Sequence, residues 1–269
     1  MLEVQSVPEF QSTLDELING HGDNVVAVLG YGSNFLGHNV DDKSIWDTII
    51  VVKDTKRFHI LNTFRRKQDH FSQDVGFHEW LNSFGMNYYQ SEGPDKIKFK
   101  YGVVSLKNLE KDCESYSFGM YIAGRLQKPI KPIYLSDQNK TENVAEVQKL
   151  EKAIARNRER AAVQAIYILD PNKEFTFDDF LVSVVSLSYH SDLRLEDPNK
   201  IKNIVEKNKE QLAAIYRPIF ERLLSENNNP IGAFDDNNQQ FIGNHNADNQ
   251  EKNLQLGIRV KIGSDDVRI

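Results

Sequence analysis

Gly32 and Ser33 follow a short β-branched run, Val25-Val26-Ala27-Val28-Leu29, and Asp47 interrupts the next apolar run, Trp46-Asp47-Thr48-Ile49-Ile50-Val51-Val52. A strand, a Gly-Ser bend, a helix and then an acid on the neighbouring strand form a pattern suited to nucleotidyl transfer. Gly32 has no side chain, so a triphosphate can approach the turn closely. Ser33 is predicted to open a helix, whose free N–H groups and dipole favour phosphate. Asp47 is placed to hold Mg²⁺ bridging the same phosphates. A carboxylate in an apolar strand needs a partner, and a metal ion is one of few on offer. A plain turn with a capping serine is the alternative reading of the same bend.

The elements that must position these residues follow from periodicity. Val7, Phe10, Leu14, Leu17 and Ile18 are spaced for one helix face. Residues 25–29 and 46–52 read as buried strands. Asp54 caps a predicted helix from Thr55 to about Gln68, 97–104 is a third strand, and Leu106 to Gly124 a helix. The aromatic-rich stretch from Gln73 to Gly93 has no clear period. Residues 129–141 carry Pro129 and Pro132 and suggest a domain boundary. Beyond it the pattern is helical over 144–169, 176–188 and 198–224, with Thr176 and Asp179 resembling a capping box. Residues 225–253 are Asn-rich and loop-like, and 254–269 suit a terminal strand pair.

The chain has 269 residues and a formal charge of −6, which argues against a non-specific nucleic-acid coat. Its single cysteine, Cys113, excludes an intramolecular disulfide or a cysteine zinc cage. No apolar run reaches the roughly 18 residues of a membrane span.

Several blocks resemble one family. Gly30-Tyr31-Gly32-Ser33-Asn34-Phe35, Asp47 to Val52, Phe58-His59-Ile60-Leu61-Asn62 and Asp69-His70-Phe71-Ser72 follow one another closely. Lys100-Tyr101-Gly102-Val103-Val104, Leu109 to Asp112 and Tyr121 to Pro129 continue the series. Leu187 to Leu195 and Pro198 to Val205 complete it. Their order is similar to that of the mitochondrial-type phosphatidate cytidylyltransferases, peripheral CDP-diacylglycerol synthases. The resemblance implies an α+β fold, with a polymerase-beta-like nucleotidyltransferase domain followed by a mostly helical, winged-helix-like one. The expected division is 1–130, 131–225 and an Asn-rich tail, 226–269. The implied reaction joins CTP and phosphatidic acid into CDP-diacylglycerol and pyrophosphate, for phosphatidylglycerol and cardiolipin synthesis.

Residue by residue, the resemblance implies a catalytic set of Asp47, Asp112 and Lys128, with Asp47 as the metal ligand. Many enzymes of this superfamily carry a second carboxylate two residues after the first, but that position is Ile49. Asp112 is therefore the candidate for the missing acid, its alternative being a surface acid near Lys107 and Lys111. Gly32, Ser33, His59, Asn62, His70, Ser72 and Arg125 are the candidates for nucleotide contact; a buried His with an Asn partner is the other reading of His59 and Asn62. Lys98, Lys100, Arg125 and Lys128 supply counter-charge to two phosphate-rich substrates. Tyr189, Asp192 and Arg194, with Lys200, Lys202 and Asn203 at a helix start, are candidates for the lipid phosphate.

The lipid substrate implies docking at a membrane surface, and Ile215, Phe220, Leu223 and Leu224 are candidates that suit core packing equally well. The N-terminal Met1-Leu2-Glu3-Val4 resembles neither a secretory signal nor a mitochondrial presequence. With the lipid substrate, this predicts a bacterial-type peripheral protein on the cytoplasmic membrane face. Competing readings are a same-fold nucleotidyltransferase with a soluble or protein acceptor, and a non-enzymatic winged-helix interaction module.

Overall fold

The computed structural model describes residues 2–37, 45–65, 74–83, 86–94, 96–118, 120–169, 175–190, 198–226, 233–235 and 240–242. The fold is α+β. Among the described residues it has a five-stranded mixed sheet, a two-stranded ribbon and nine α-helices. Two compact units, Met1–Asn157 and Arg158–Ile269, divide the chain.

The first unit is built on strands β1 (Val25–Tyr31), β2 (Trp46–Val52), β3 (Asn87–Glu92), β4 (Lys98–Ser105) and β5 (Lys131–Leu135), ordered β3-β4-β2-β1-β5. β2 and β4 are parallel and the other pairs antiparallel. Side chains alternate across a strand, so β2 sends Trp46, Ile50 and Val52 into one apolar layer, and Ile49 and Val51 into the other. Helix α1 (Gln11–Ile18) and the start of α2 (Thr55–Arg65) cover the first layer through Leu14, Leu17 and Phe58. Helices α4 (Leu106–Ser115) and α5 (Ala123–Leu126), with the first part of α6 (Thr141–Ile168), cover the second through Leu109, Leu126 and Leu150. Helix α3 (Val75–Asn82) packs beside α2.

The predicted β1, β2 and β4 are present, and Asp54 does cap α2, accepting from the Arg57 N–H at 3.1 Å. Two elements differ. The helix expected over 106–124 breaks at Tyr116, whose left-handed backbone (φ 52°) ends α4, and resumes as the short α5. The proline-bearing stretch after Pro129 contains β5. Proline donates no N–H to a ladder and is confined to sheet edges, and β5 is an edge strand.

In the second unit, α7 (Phe177–His190), α8 (Pro198–Lys207) and α9 (Lys209–Glu226) enclose Phe180, Val184, Leu212, Tyr216 and Phe220. The reciprocal capping box opens α7: Thr176 N–H donates to Asp179 at 2.8 Å, and Asp179 N–H to Thr176 Oγ1 at 3.1 Å. Ribbon strands β6 (Ala233–Asp235) and β7 (Gln240–Ile242) are antiparallel. Phe220 belongs to the core and Ile215 is half-buried. The proposed strand pair over 254–269 lies outside the described residues.

Candidate functional site

β1 ends and β2 begins at the same edge of the first unit, so that Tyr31 pairs with Asp47. On the other side of β2, Asp47 pairs with Lys100 of β4. Strand alternation aims Asp47, Lys100 and Tyr31 at the face that carries α4 and α5. Gly32 follows with φ +82°, and a β-carbon there would stand 3.5 Å from Asp47 Oδ2. The bend is fixed from below. Phe35 lies so close to Gly30 that a β-carbon on Gly30 would meet its ring at 2.5 Å. Phe35 also packs edge-on to Phe10 and Trp46, with centroids 5.2 and 4.7 Å away.

Ser33 departs from expectation. It opens a run of turns over 33–37 rather than a helix, and Leu36 N–H donates to Gly32 O at 3.2 Å. The helix-dipole argument for phosphate therefore does not apply here. What Ser33 offers is an exposed hydroxyl at the bend.

Asp47 is half-buried. Burial pushes its carboxyl above the ordinary range, while the charges of Lys100 and Arg125 pull it back. Arg125, on α5, donates to the Tyr121 carbonyl at 2.6 Å. Its guanidinium lies 4.0 Å from the Tyr121 ring centre and 5.5 Å from that of Tyr88. Tyr31 and Tyr88 share a 3.0 Å hydroxyl contact; burial raises the pKa of each, and the Asp47 charge adds to the rise at Tyr31. Two cations and Tyr31 thus act on one carboxylate beside the bend, with Tyr88 joined to Tyr31, an arrangement that suits a ligand carrying several negative charges.

These tyrosines were missed by sequence reasoning. Tyr31 sits within the Gly30–Gly32 block, where alternation from Leu29 could have found it, whereas Tyr88 lies in the stretch without a readable period. Lys128 is half-buried just after α5, and Lys98 is exposed at the start of β4.

Asp112 corrects an expectation. Its carboxylate is fully buried and accepts three backbone N–H groups, from Phe118 (2.8 Å), Ile122 (3.0 Å) and Ala123 (2.8 Å). A carboxylate so occupied fastens the turn that leads into α5, with three of its roughly four lone-pair positions taken by backbone N–H groups. Ile49, at the position where a second acid was sought, is buried in the apolar layer.

His59 and Asn62 are corrected as well. Both are buried on the opposite face of the sheet from Asp47, beside Phe58. His59 Nε2 meets Asn82 Nδ2 at 2.8 Å, and Asn62 Oδ1 meets His21 Nε2 at 3.1 Å. They tie α2 to α3 and to the turn before β1. The candidates His70 and Ser72 lie outside the described residues, as do Asp192 and Arg194. In the second unit, Lys200 stands 5.9 Å from the Tyr189 ring centre. Lys200, Lys202 and Asn203 are all exposed on α8.

Fold and site define an α+β protein with a glycine bend and a strand aspartate turned toward one another and flanked by cations. A family model described as phosphatidate cytidylyltransferase, mitochondrial, matches residues 14–258, and the chain belongs to that family. The phosphatidate cytidylyltransferase, mitochondrial, of Caenorhabditis elegans is 31% identical over 209 residues, covering 74% of this chain and 61% of that protein. Its namesake in Saccharomyces cerevisiae is 30% identical over 232 residues, covering 80% and 57%. The Homo sapiens protein of the same name is 36% identical over 131 residues, covering 48% and 25%. The chain thus spans about three fifths of the length of the worm and yeast relatives. These names overturn the bacterial-type, cytoplasmic-face expectation, since the relatives are mitochondrial. The character of Met1-Leu2-Glu3-Val4, combined with a lipid substrate, was too weak a basis for it.

Proposed function

We propose that this chain is a CTP:phosphatidate cytidylyltransferase that acts in mitochondria, releasing pyrophosphate and forming CDP-diacylglycerol for phospholipid synthesis. The observation that carries the reading is the Gly32 bend facing Asp47, with Lys100 and Arg125 acting on the same carboxylate, in a chain of this family. On this reading the first unit is a polymerase-beta-like nucleotidyltransferase domain. The second is winged-helix-like, for which three helices and a short ribbon are suitable elements.

Among the described residues no three His, Cys, Asp or Glu side chains gather as a metal cage. The donor set is one carboxylate, whose Oδ2 stands 3.5 Å from where a Gly32 β-carbon would lie. That suits Mg²⁺, which is commonly held by one or two carboxylates together with substrate phosphates. Asp47 would hold the ion, which when bound supplies neutralisation of charge on the departing pyrophosphate. Gly32 leaves room for the triphosphate, and the Ser33 hydroxyl stands at the bend to donate to it. Arg125 and Lys100 supply positive charge that suits the triphosphate, their field strengthened by partial burial.

The attacking group is a phosphate oxygen of phosphatidic acid, directed in line at the α-phosphorus of CTP. A phosphate monoester has a second pKa of about 6 and is already ionised at neutral pH, so no protein base is required. Lys200, Lys202 and Asn203 remain candidates for the lipid phosphate. Nucleic acid has no part in this reading.

The test is the purified chain with radiolabelled CTP, Mg²⁺ and phosphatidic acid in detergent micelles. Label extractable into organic solvent is expected. Label on protein or on a soluble acceptor would replace the lipid reading with another transferase, and failure to bind CTP or transfer any label would overturn both.

A further inference from the structure

Tyr31 and Tyr88 belong to strands that are not neighbours. In the order β3-β4-β2-β1-β5, β4 and β2 run between them, and three strand spacings amount to about 14 Å. Their hydroxyls nevertheless meet at 3.0 Å, so the two side chains reach toward one another across the middle of the sheet. The register permits it. Tyr88 is paired with Gly102, and Gly102 in turn with Ile49; directly opposed residues share a face. Tyr31 and Tyr88 both pack on the apolar layer that includes Ile49, on the face to which Asp47 points.

Arg125 lies against this bridge. Its guanidinium stands 5.5 Å from the Tyr88 ring centre and 4.0 Å from that of Tyr121, within the range of cation–π attraction. The Tyr88 and Tyr121 rings meet edge to face, with centroids 5.7 Å apart and an interplanar angle of 80°. The Tyr121 carbonyl accepts from Nη1 at 2.6 Å, and the Tyr31 hydroxyl interacts with Arg125 as well. These partners are neutral at physiological pH, since burial raises the pKa of Tyr31 and Tyr88 above the ordinary value of 10.0. They therefore fix the guanidinium without cancelling its charge. A long cationic side chain left loose would lose its rotamer freedom on meeting a ligand, and one held in advance has less to lose.

We propose that Tyr88, through its ring on Arg125 and its hydroxyl on Tyr31, is a positioning residue that holds the Arg125 guanidinium ready for the phosphates of CTP. The proposal rests on the reading that Arg125 meets the triphosphate. Tyr88 itself touches no substrate. Tyr31 is its brace: β1 ends at Tyr31 and the Gly32 bend follows, so one hydroxyl pair ties the place of the cation to the place of the bend.

The test uses the full chain and steady-state kinetics with CTP. Tyr88→Leu removes the ring and the hydroxyl, and should lower kcat/KM for CTP about tenfold, the scale of a desolvated cation–π contact, chiefly through KM. Tyr88→Phe keeps the ring and should lose only about threefold, the scale of one neutral hydrogen bond. In an Arg125→Gln background, Tyr88→Leu should cost no more than about twofold further, because residues that act through one contact are not additive. A loss of the same size in both backgrounds would make Tyr88 a support of the fold alone and overturn the proposal. So would an unchanged KM in Tyr88→Leu. Should Tyr88→Leu fail to fold, Tyr88→Phe carries the same comparison, and its loss must vanish when Arg125 is Gln.

Arg125 also reports without substrate. Its side-chain N–H resonance, assigned by its disappearance in Arg125→Gln, should be displaced by the currents of the Tyr88 and Tyr121 rings. In Tyr88→Leu it should move toward the position of free arginine, and a resonance that stays in place would overturn the proposal. If the wild type transfers no cytidylyl group from CTP, the enzymatic reading fails, and the resonance still judges whether Tyr88 holds Arg125.

Discussion

Gly32 and Asp47 face each other across the start of β2, with 3.5 Å between the point a Gly32 β-carbon would occupy and Asp47 Oδ2. That spacing is an ordinary van der Waals contact, so a methyl group would fit while filling the space beside the carboxylate. The backbone is the harder constraint. At φ +82° a residue with a side chain costs about 1–3 kcal/mol. Gly32→Ala should therefore lower the melting temperature and reduce kcat/KM for CTP by about tenfold or more. Ser33→Ala, at an exposed position, should leave the melting temperature unchanged. Thermal melts beside steady-state kinetics check both.

Asp47→Asn should separate stability from activity. Burial raises the native pKa of Asp47 above 3.8, so the folded state prefers the protonated carboxyl. Its stabilising contribution is complete below the unfolded value of 3.8 and is lost as pH rises through the native one. At pH 7 the ionised group is thus a cost that asparagine does not carry. Turnover should fall by at least about a hundredfold, on the scale of losing a key electrostatic contact, while the variant melts no lower than the wild type. Any advantage in melting temperature should shrink as pH is lowered toward 3.8.

Asp112→Ala should damage the site without touching a substrate. It leaves the Phe118, Ile122 and Ala123 N–H groups without their acceptor, at about 1–3 kcal/mol for each buried group left unsatisfied. Loss of the tie should also free α5 and with it Arg125. Chemical denaturation should show a drop of several kcal/mol. Asp112→Asn, which keeps one acceptor oxygen, should retain more stability, and its KM for CTP should rise as Arg125 loosens. An unchanged KM with an intact fold would separate Asp112 from Arg125.

His59→Ala should behave in the opposite manner to the site variants. His59 is buried and bonded to Asn82 on the face away from Asp47. The expected loss is about 2–4 kcal/mol of stability, from a cavity and an unpaired amide. At a temperature where the variant stays folded, KM for CTP and kcat should match the wild type. Binding measured by calorimetry at that temperature decides between this and a nucleotide contact.

Much of this architecture was legible from sequence. β-branched runs reveal β1 and β2, and a Gly-Ser bend before an acid in an apolar strand points to Gly32 and Asp47. The stretch from Gln73 to Gly93 was opaque because α3 buries His78 and Asn82 while exposing Phe77 and Trp80; hydropathy periodicity assumes the reverse. Proximity in sequence also misled. His59 and Asn62 follow Asp47 closely, but α2 carries them to the sheet face that β2's even-numbered side chains share, and Asp47 points to the other. Asp112 was singled out as a second acid for the metal, whereas its partners are backbone N–H groups of a loop and helix start whose course no pattern predicts.

The aromatic ring seated on Gly30 bears on how loss-of-function substitutions should be interpreted. Phe35 holds the bend by occupying the volume that any larger residue at position 30 would need. A variant there would silence the protein with every charged group still in place and the Gly32 bend deformed from beneath. Inactivity after changing Gly30 or Phe35 would therefore be evidence about scaffolding, and rescue by a smaller ring at 35 opposite alanine at 30 would reveal it.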